Sequence, residues 1–283
     1  MQIFTKIEPL RAFLSRKKAE QQSIGLVPTM GALHPGHLFL VQSSKAENQV
    51  TVSTIYINPT QFNNPSDLEK YPRSLEKDIA LLEKGGCDVL FCPDNREMYA
   101  QSSTVKFDFG LLDKILEGEF RPGHFSGVAL VVSKFFNIVQ PNIAYFGQKD
   151  FQQFIIIARL VDELQFGIQL RCIPTLREPD GLAMSSRNLR LNGQERKKAI
   201  ILFKSLSSAN QALLRGKPLS EVKVDVLKIW EQEKDVKLEY FELADRENLI
   251  LSDRVETADQ SIILIAGYVG EVRLIDNMIV GEK

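Results

Sequence analysis

Residues 24–57 read IGLVPTMGALHPGHLFLVQSSKAENQVTVSTIYI. The run 24–28 is short and apolar. Residues 36–48 have helical length, with Leu38, Leu40 and Val41 as apolar positions. Residues 50–57 are β-branched and aromatic, which suits a buried strand. Strand, helix, strand at this spacing implies a parallel pair joined by a helical crossover. The alternation continues outward. Residues 74–85 predict a helix ended by Gly85 and Gly86, and 88–93 a strand. Residues 128–139 predict a helix stopped before Pro141, 143–146 a strand, 151–164 a helix, and 169–173 a last strand before Pro174. The expected fold is α/β, a doubly wound parallel sheet with right-handed crossovers.

The pattern changes after the loop 177–190. Residues 195–214 predict one long amphipathic helix, and 220–233 a second, introduced by Pro218 and capped by Ser220. Residues 238–243, 261–266 and 271–275 then predict strands in meander order, with Gly267 and Gly270 flanking a turn. We expect a smaller C-terminal α+β domain over 176–283, following a larger one over 1–175.

Composition narrows the function. The chain has 283 residues, 44% hydrophobic and 25% charged, as in ordinary globular proteins. Lys and Arg number 35 against 36 Asp and Glu, a net charge of −1. That balance argues against a nucleic-acid or anionic-membrane partner. No stretch approaches the ~20 apolar residues of a membrane span, and residues 1–20 lack the apolar core of a secretory signal. Cys87, Cys92 and Cys172 form no disulfide framework and sit beside apolar residues, so they read as buried strand residues in a reducing cytoplasm.

The three histidines are each flanked by Gly or Pro. His34 and His37 stand in Met30-Gly31-Ala32-Leu33-His34-Pro35-Gly36-His37, where a strand gives way to a helix. Gly31 permits close backbone approach, and the N–H groups at the helix start make an anion site. Imidazoles there suit nucleotide phosphates; a zinc pair or a plain polar turn competes on these residues alone. In Gly147-Gln148-Lys149-Asp150, Lys149 offers a point charge for phosphate and Asp150 an acceptor for ribose hydroxyls, with Gln153 on the same helical face. A helix cap beside a solvated lysine is the ordinary alternative. Met184-Ser185-Ser186-Arg187 offers two hydroxyls and a guanidinium as a phosphate clamp, or is simply a linker. Asn58 and Gln61, after the strand 50–57, offer amides to a small polar ligand, or form a plain turn.

Together these words are far more specific than any one alone. The first resembles the His-x-Gly-His signature of nucleotidylyl transferases and class I aminoacyl-tRNA synthetases. Met184 to Arg187 resembles the second, lysine- and serine-rich signature of that superfamily. Within it the chain resembles the pantothenate synthetases, or pantoate–β-alanine ligases, through residues 27–31, 58–62, 67–73, 121–125, 146–150 and 180–188, in family order. The resemblance implies a Rossmann-like larger domain, a C-terminal lid, a homodimer, and a ligase of pantothenate biosynthesis. That ligase joins pantoate to β-alanine through a pantoyl adenylate, releasing AMP and pyrophosphate. It implies that Met30, Gly31, Ala32, Leu33, His34, Pro35, Gly36 and His37 hold ATP, with the histidines at the phosphates and His37 as proton donor. Gly147, Gln148, Lys149, Asp150, Leu176, Met184, Ser185, Ser186 and Arg187 would complete the ATP site. His34, Lys149, Ser185 and Arg187 would share the catalytic charge work with His37. Gln61 and Gln153 would bind pantoate, Gln61 also lying near β-alanine, with Asn58, Arg121 and His124 lining the acid or amine pocket. Mg²⁺ would bridge the phosphates, with Asp78 as a candidate contact. Lys77 stands where some relatives carry acids, which weakens that assignment. A nucleotidylyltransferase shares the first signature but has no need of Gln61 and Gln153.

Overall fold

The computed structural model describes residues 1–63, 65–101 and 103–282. The chain divides into two compact units. One comprises Met1–Gly147 and Gln152–Pro174; the other comprises Gln148–Phe151 and the chain from Thr175 on.

In the first unit, β1 (Gln2–Phe4), β2 (Ile24–Thr29), β3 (Val50–Ile55), β4 (Val89–Phe91), β5 (Ile143–Gly147) and β6 (Gln169–Ile173) form one parallel sheet. Its order is β1-β4-β3-β2-β5-β6. The chain therefore winds outward from β2 in both directions. In such sheets the crevice beyond the carboxyl ends of the strands, where the order reverses, is the binding place. Here that is the end of β2 beside β5.

Alternate side chains of the strands enter two separate cores, which is what double winding means physically. Leu26 packs with Leu10, Leu14, Val52, Val132 and Phe136, under the helices Ile7–Ala19 and His124–Val139. Val27 points the other way, into Leu40, Val41, Leu82, Leu90 and Tyr145, under Pro35–Glu47 and Leu75–Lys84. Leu26 and Val27 are 0% exposed, and burying each contributes about 1.5–3 kcal/mol. Pro28 cannot donate to the ladder of this central strand. Pairing with β3 nevertheless reaches Thr29: the Tyr56 N–H donates to the Thr29 carbonyl at 3.1 Å. The Thr29 Oγ1 donates to the Thr54 carbonyl at 2.6 Å, and the Thr29 N–H to Thr54 Oγ1 at 3.2 Å.

In the second unit, β7 (Val236–Asp245), β8 (Ser261–Val269) and β9 (Val272–Ile279) make an antiparallel meander. Helices Ile201–Leu214 and Leu219–Glu231 contribute Leu202, Leu206, Leu213, Val226 and Trp230 to its core. Four local expectations need correction. The helix expected over 195–214 breaks into Gly193–Lys198 and Ile201–Leu214. Ser220 does not cap its helix; Pro218 occupies the cap, and Ser220 bonds Asp253 instead. Gly267 lies inside β8 rather than in a turn, because Trp230 packs where a Cβ would stand. The helix expected from Val128 begins at His124, with Gly123 in the left-handed region at its cap. Strand β1 and the helix Ile7–Ala19 have no counterpart among the expected elements.

All three cysteines are free thiols, but only Cys87 is fully buried and only Cys172 lies in a strand, contrary to expectation. Burial pushes the Cys87 thiol up to about 11, which makes it a packing residue. Among the described residues no helix is long and apolar enough to cross a membrane.

Candidate active site

The chain leaves β2 through a left-handed pair, Gly31 (φ 81°) and Ala32 (φ 50°). For alanine that conformation costs about 1–2 kcal/mol. Asp78 holds it. One carboxylate oxygen accepts the Ala32 N–H at 2.9 Å, and the other the Leu33 N–H at 2.8 Å and the Ser74 hydroxyl at 3.3 Å. Asp78 is 2% exposed. The structure thus corrects the metal expectation for this residue: both oxygens are turned onto the loop, and Asp78 does not fit a magnesium ligand. Among the described residues no group of three or more His, Cys, Asp or Glu forms a metal site.

The loop delivers the two histidines to the start of Pro35–Glu47, with Pro35 in the first helical turn, where its missing N–H costs nothing. His34 is the N-cap. The two histidines cap reciprocally: the His34 N–H donates to His37 Nδ1 at 3.3 Å, and the Gly36 N–H to His34 Nδ1 at 3.2 Å. The rings lie 4.0 Å apart between centroids. A ring whose Nδ1 accepts must, when neutral, carry its proton on Nε2. Two imidazole N–H donors therefore stand at a helix N-terminus, the arrangement that favours phosphate.

Asn58 and Gln61 follow β3 on the turn Pro59–Gln61. Asn58 is 1% exposed, and its amide is spent inside the protein. Its Nδ2 donates to Gln61 Oε1 at 3.1 Å and to the Gly127 carbonyl at 3.0 Å. Its Oδ1 accepts from Tyr99 at 2.9 Å and from the Thr60 hydroxyl at 3.0 Å. Burial raises the Tyr99 phenol, which keeps its proton for this bond. Asn58 therefore positions Gln61 and has no amide group left for a ligand, contrary to expectation. Gln61 Nε2 donates to Met30 Sδ at 3.1 Å, joining the turn to the histidine loop. His124 is also turned inward, its Nδ1 lying 2.8 Å from the Gln61 carbonyl. Gly127 lets the helix His124–Val139 approach this turn, since a Cβ there would strike the Thr60 carbonyl. Arg121 pairs with Glu117 at 3.8 Å. Gln153 is half-buried on Phe151–Glu163. Its neighbour Gln152, which the sequence did not single out, donates to the Leu112 and Ile115 carbonyls and accepts from the Glu117 N–H.

The second unit assembles the remaining words by itself. Leu176 and Met184 meet across a small hairpin, the Met184 N–H donating to the Leu176 carbonyl at 3.0 Å. Gly181 (φ 93°) makes its turn, with Phe203 packed where a side chain would stand. Arg177 grips the hairpin through the Gly181 carbonyl at 3.1 Å and forks onto Asp276 at 2.6 and 3.1 Å. Burial pushes the Asp276 carboxyl up, and the Arg177 fork opposes it. Ser185 caps the turn Ser186–Arg190, accepting the Arg187 N–H at 3.2 Å. Gln148 is 5% exposed, its amide turned to Asn277 and Glu282. Lys149 Nζ lies 3.8 Å from Asp150.

Comparison with known proteins gives the family. The pantoate-beta-alanine ligase family model matches residues 2–279. The pantothenate synthetase of Cytophaga hutchinsonii is 47% identical over 279 residues, covering 98% of each chain. That of Aquifex aeolicus is 44% identical over 277 residues, 97% of each. The crystal structure of pantothenate synthetase from Thermus thermophilus superposes with a TM-score of 0.92 at 38% identity, covering 99% of both chains. The pantoate-beta-alanine ligase of Francisella tularensis, complexed with beta-gamma ATP and beta-alanine, superposes with a TM-score of 0.82 at 34% identity, over 100% of this chain and 99% of that one. The chain belongs to the pantoate–β-alanine ligase family, and is a ligase.

Proposed function

We propose that the chain condenses pantoate with β-alanine in two steps. The pantoate carboxylate attacks the α-phosphorus of ATP in line, and pyrophosphate leaves. The β-alanine amine then attacks the acyl carbon of the pantoyl adenylate, giving pantothenate and AMP. The observation that carries this reading is the reciprocal histidine cap. It places two Nε2–H donors at the N-terminus of a helix that opens at the reversal point of the sheet.

The first step is a positioning and charge problem. His34 and His37 meet the phosphates, His37 giving its proton toward developing charge. Gln61, fixed by Asn58 and Met30, and Gln153 hold the pantoate hydroxyl and carboxylate groups. The second unit supplies Lys149, Ser185 and Arg187 to the ATP phosphates, and acts as a lid that keeps water from the acyl adenylate. Mg²⁺ bound with ATP would neutralise phosphate charge; no residue of this chain is assigned to it. Family resemblance supports a homodimer and a cytoplasmic location.

Exchange of labelled pyrophosphate into ATP tests the reading. With ATP, Mg²⁺ and pantoate but no β-alanine, label should enter ATP. Exchange that requires β-alanine would overturn the two-step scheme.

A further inference from the structure

Strand β9 carries two buried polar residues side by side, Asp276 and Asn277, 3% and 1% exposed. Successive residues on a strand face opposite ways. Asp276 takes the Arg177 fork. Asn277 reaches the other way and spends both hydrogens of its amide on consecutive carbonyls, those of Gln148 and Lys149, each at 2.9 Å. Its own Oδ1 accepts from Gln148 Nε2 at 3.4 Å. Its backbone is locked in turn: the N–H donates to Asp276 Oδ1 at 2.8 Å, and the carbonyl accepts from Arg177 at 3.0 Å.

Two successive carbonyls drawn to one amide fix the two peptide planes that flank the Lys149 Cα, and with them the direction in which the Lys149 side chain leaves the backbone. Lys149 thereby depends on a residue 128 positions further along the chain. Neutral hydrogen bonds to carbonyls would serve stability equally well from many side chains. An amide spanning two successive carbonyls sets an orientation.

We propose that Asn277 is a positioning residue for the adenylation step, holding Lys149 in its phosphate-contacting direction. The proposal rests on the reading that Lys149 meets an ATP phosphate. Its test is a double-mutant cycle of Asn277→Ala and Lys149→Ala, read by pyrophosphate exchange and by steady-state kinetics in the full chain. Asn277→Ala should lower kcat/KM for ATP by about tenfold to hundredfold, the penalty of a misaimed group, while the KM for β-alanine stays put. In the Lys149→Ala background the same change should cost almost nothing further, because residues acting through one another are not additive. Additive losses, or wild-type kinetics in a folded Asn277→Ala protein, would overturn the proposal and leave the role of Lys149 intact. A Lys149→Ala protein with unchanged ATP kinetics would instead remove the underlying reading, and this proposal with it. Asn277→Ser, which keeps one donor but cannot span both carbonyls, runs the same cycle if the alanine variant does not fold.

Discussion

Asp78 is the residue whose replacement should be most informative about how the histidine loop is built. Its two oxygens accept the Ala32 and Leu33 N–H groups at 2.9 and 2.8 Å, and the residue is 2% exposed. Removing the carboxylate strands both donors, at roughly 1–3 kcal/mol each. Asp78→Asn keeps one carbonyl oxygen and turns an NH₂ toward the other donor, so it loses one bond, about 2 kcal/mol. For a protein of this size that corresponds to a fall in Tm of roughly 4–8 °C. Asp78→Ala should lose about twice as much. Because the loop ends on His34, the effect should also reach kcat/KM for ATP, while the Mg²⁺ concentration giving half-maximal rate is unchanged. Thermal unfolding and a Mg²⁺ titration of the initial rate measure both. A stable Asp78→Asn protein that needs much more Mg²⁺, and recovers with Mn²⁺, would refute the loop-clamp argument and restore a metal role.

His37→Ala should slow adenylation by about 10²–10³-fold, the cost of losing one preorganised donor, with the fold retained in circular dichroism. It should also cost about 1 kcal/mol, because His37 Nδ1 accepts the His34 N–H. Gln153→Ala should raise the KM for pantoate far more than that for ATP; the reverse pattern in initial rates would misplace the pantoate pocket. The Arg196 guanidinium holds the Asp180 carboxyl below its ordinary value of 3.8. Its stabilisation is therefore present above that value and lost as pH falls through the lower folded value. Arg196→Met should lower Tm at neutral pH, and the gap should close on acidification below about pH 4, a trend that Tm-against-pH curves read directly.

The parts of the fold legible in the sequence are those governed by local pattern. The runs at β2, β3 and β5 are rich in β-branched or aromatic residues, and the expected span 169–173, read from its place before Pro174, coincides with β6. Strand β1 is three residues long and its helix buries only Leu10 and Leu14 fully, too little for a periodic signal. The break between Lys198 and Ile201 carries no Gly or Pro, so composition gave no warning. Gly267 looked like a turn residue because glycine is a turn residue on average; here packing under Trp230 explains it.

The candidate site divides the same way. The place of both histidines at a helix start was readable because strand, glycine turn and helix follow one another within a short stretch; their reciprocal capping came only from the structure. The inward turn of Asn58 and His124 was not, because their partners Gly127 and Gln61 lie 69 and 63 residues away. Asp78 sits 46 residues from Ala32, and nothing in its neighbourhood marks it as a clamp. Asn277 is more remote still, and no motif announced it.

The central claim is that the acid is activated through the nucleotide. Pantoate labelled with ¹⁸O in its carboxylate tests this most directly, with the products separated after one turnover in the presence of ATP, Mg²⁺ and β-alanine. In the first step a carboxylate oxygen becomes bonded to the α-phosphorus, and it departs with AMP when the amine attacks. Mass spectrometry should therefore find one ¹⁸O in AMP and none in pyrophosphate. Label in inorganic phosphate, with ADP as the other product, would contradict the account and place an acyl phosphate on the path.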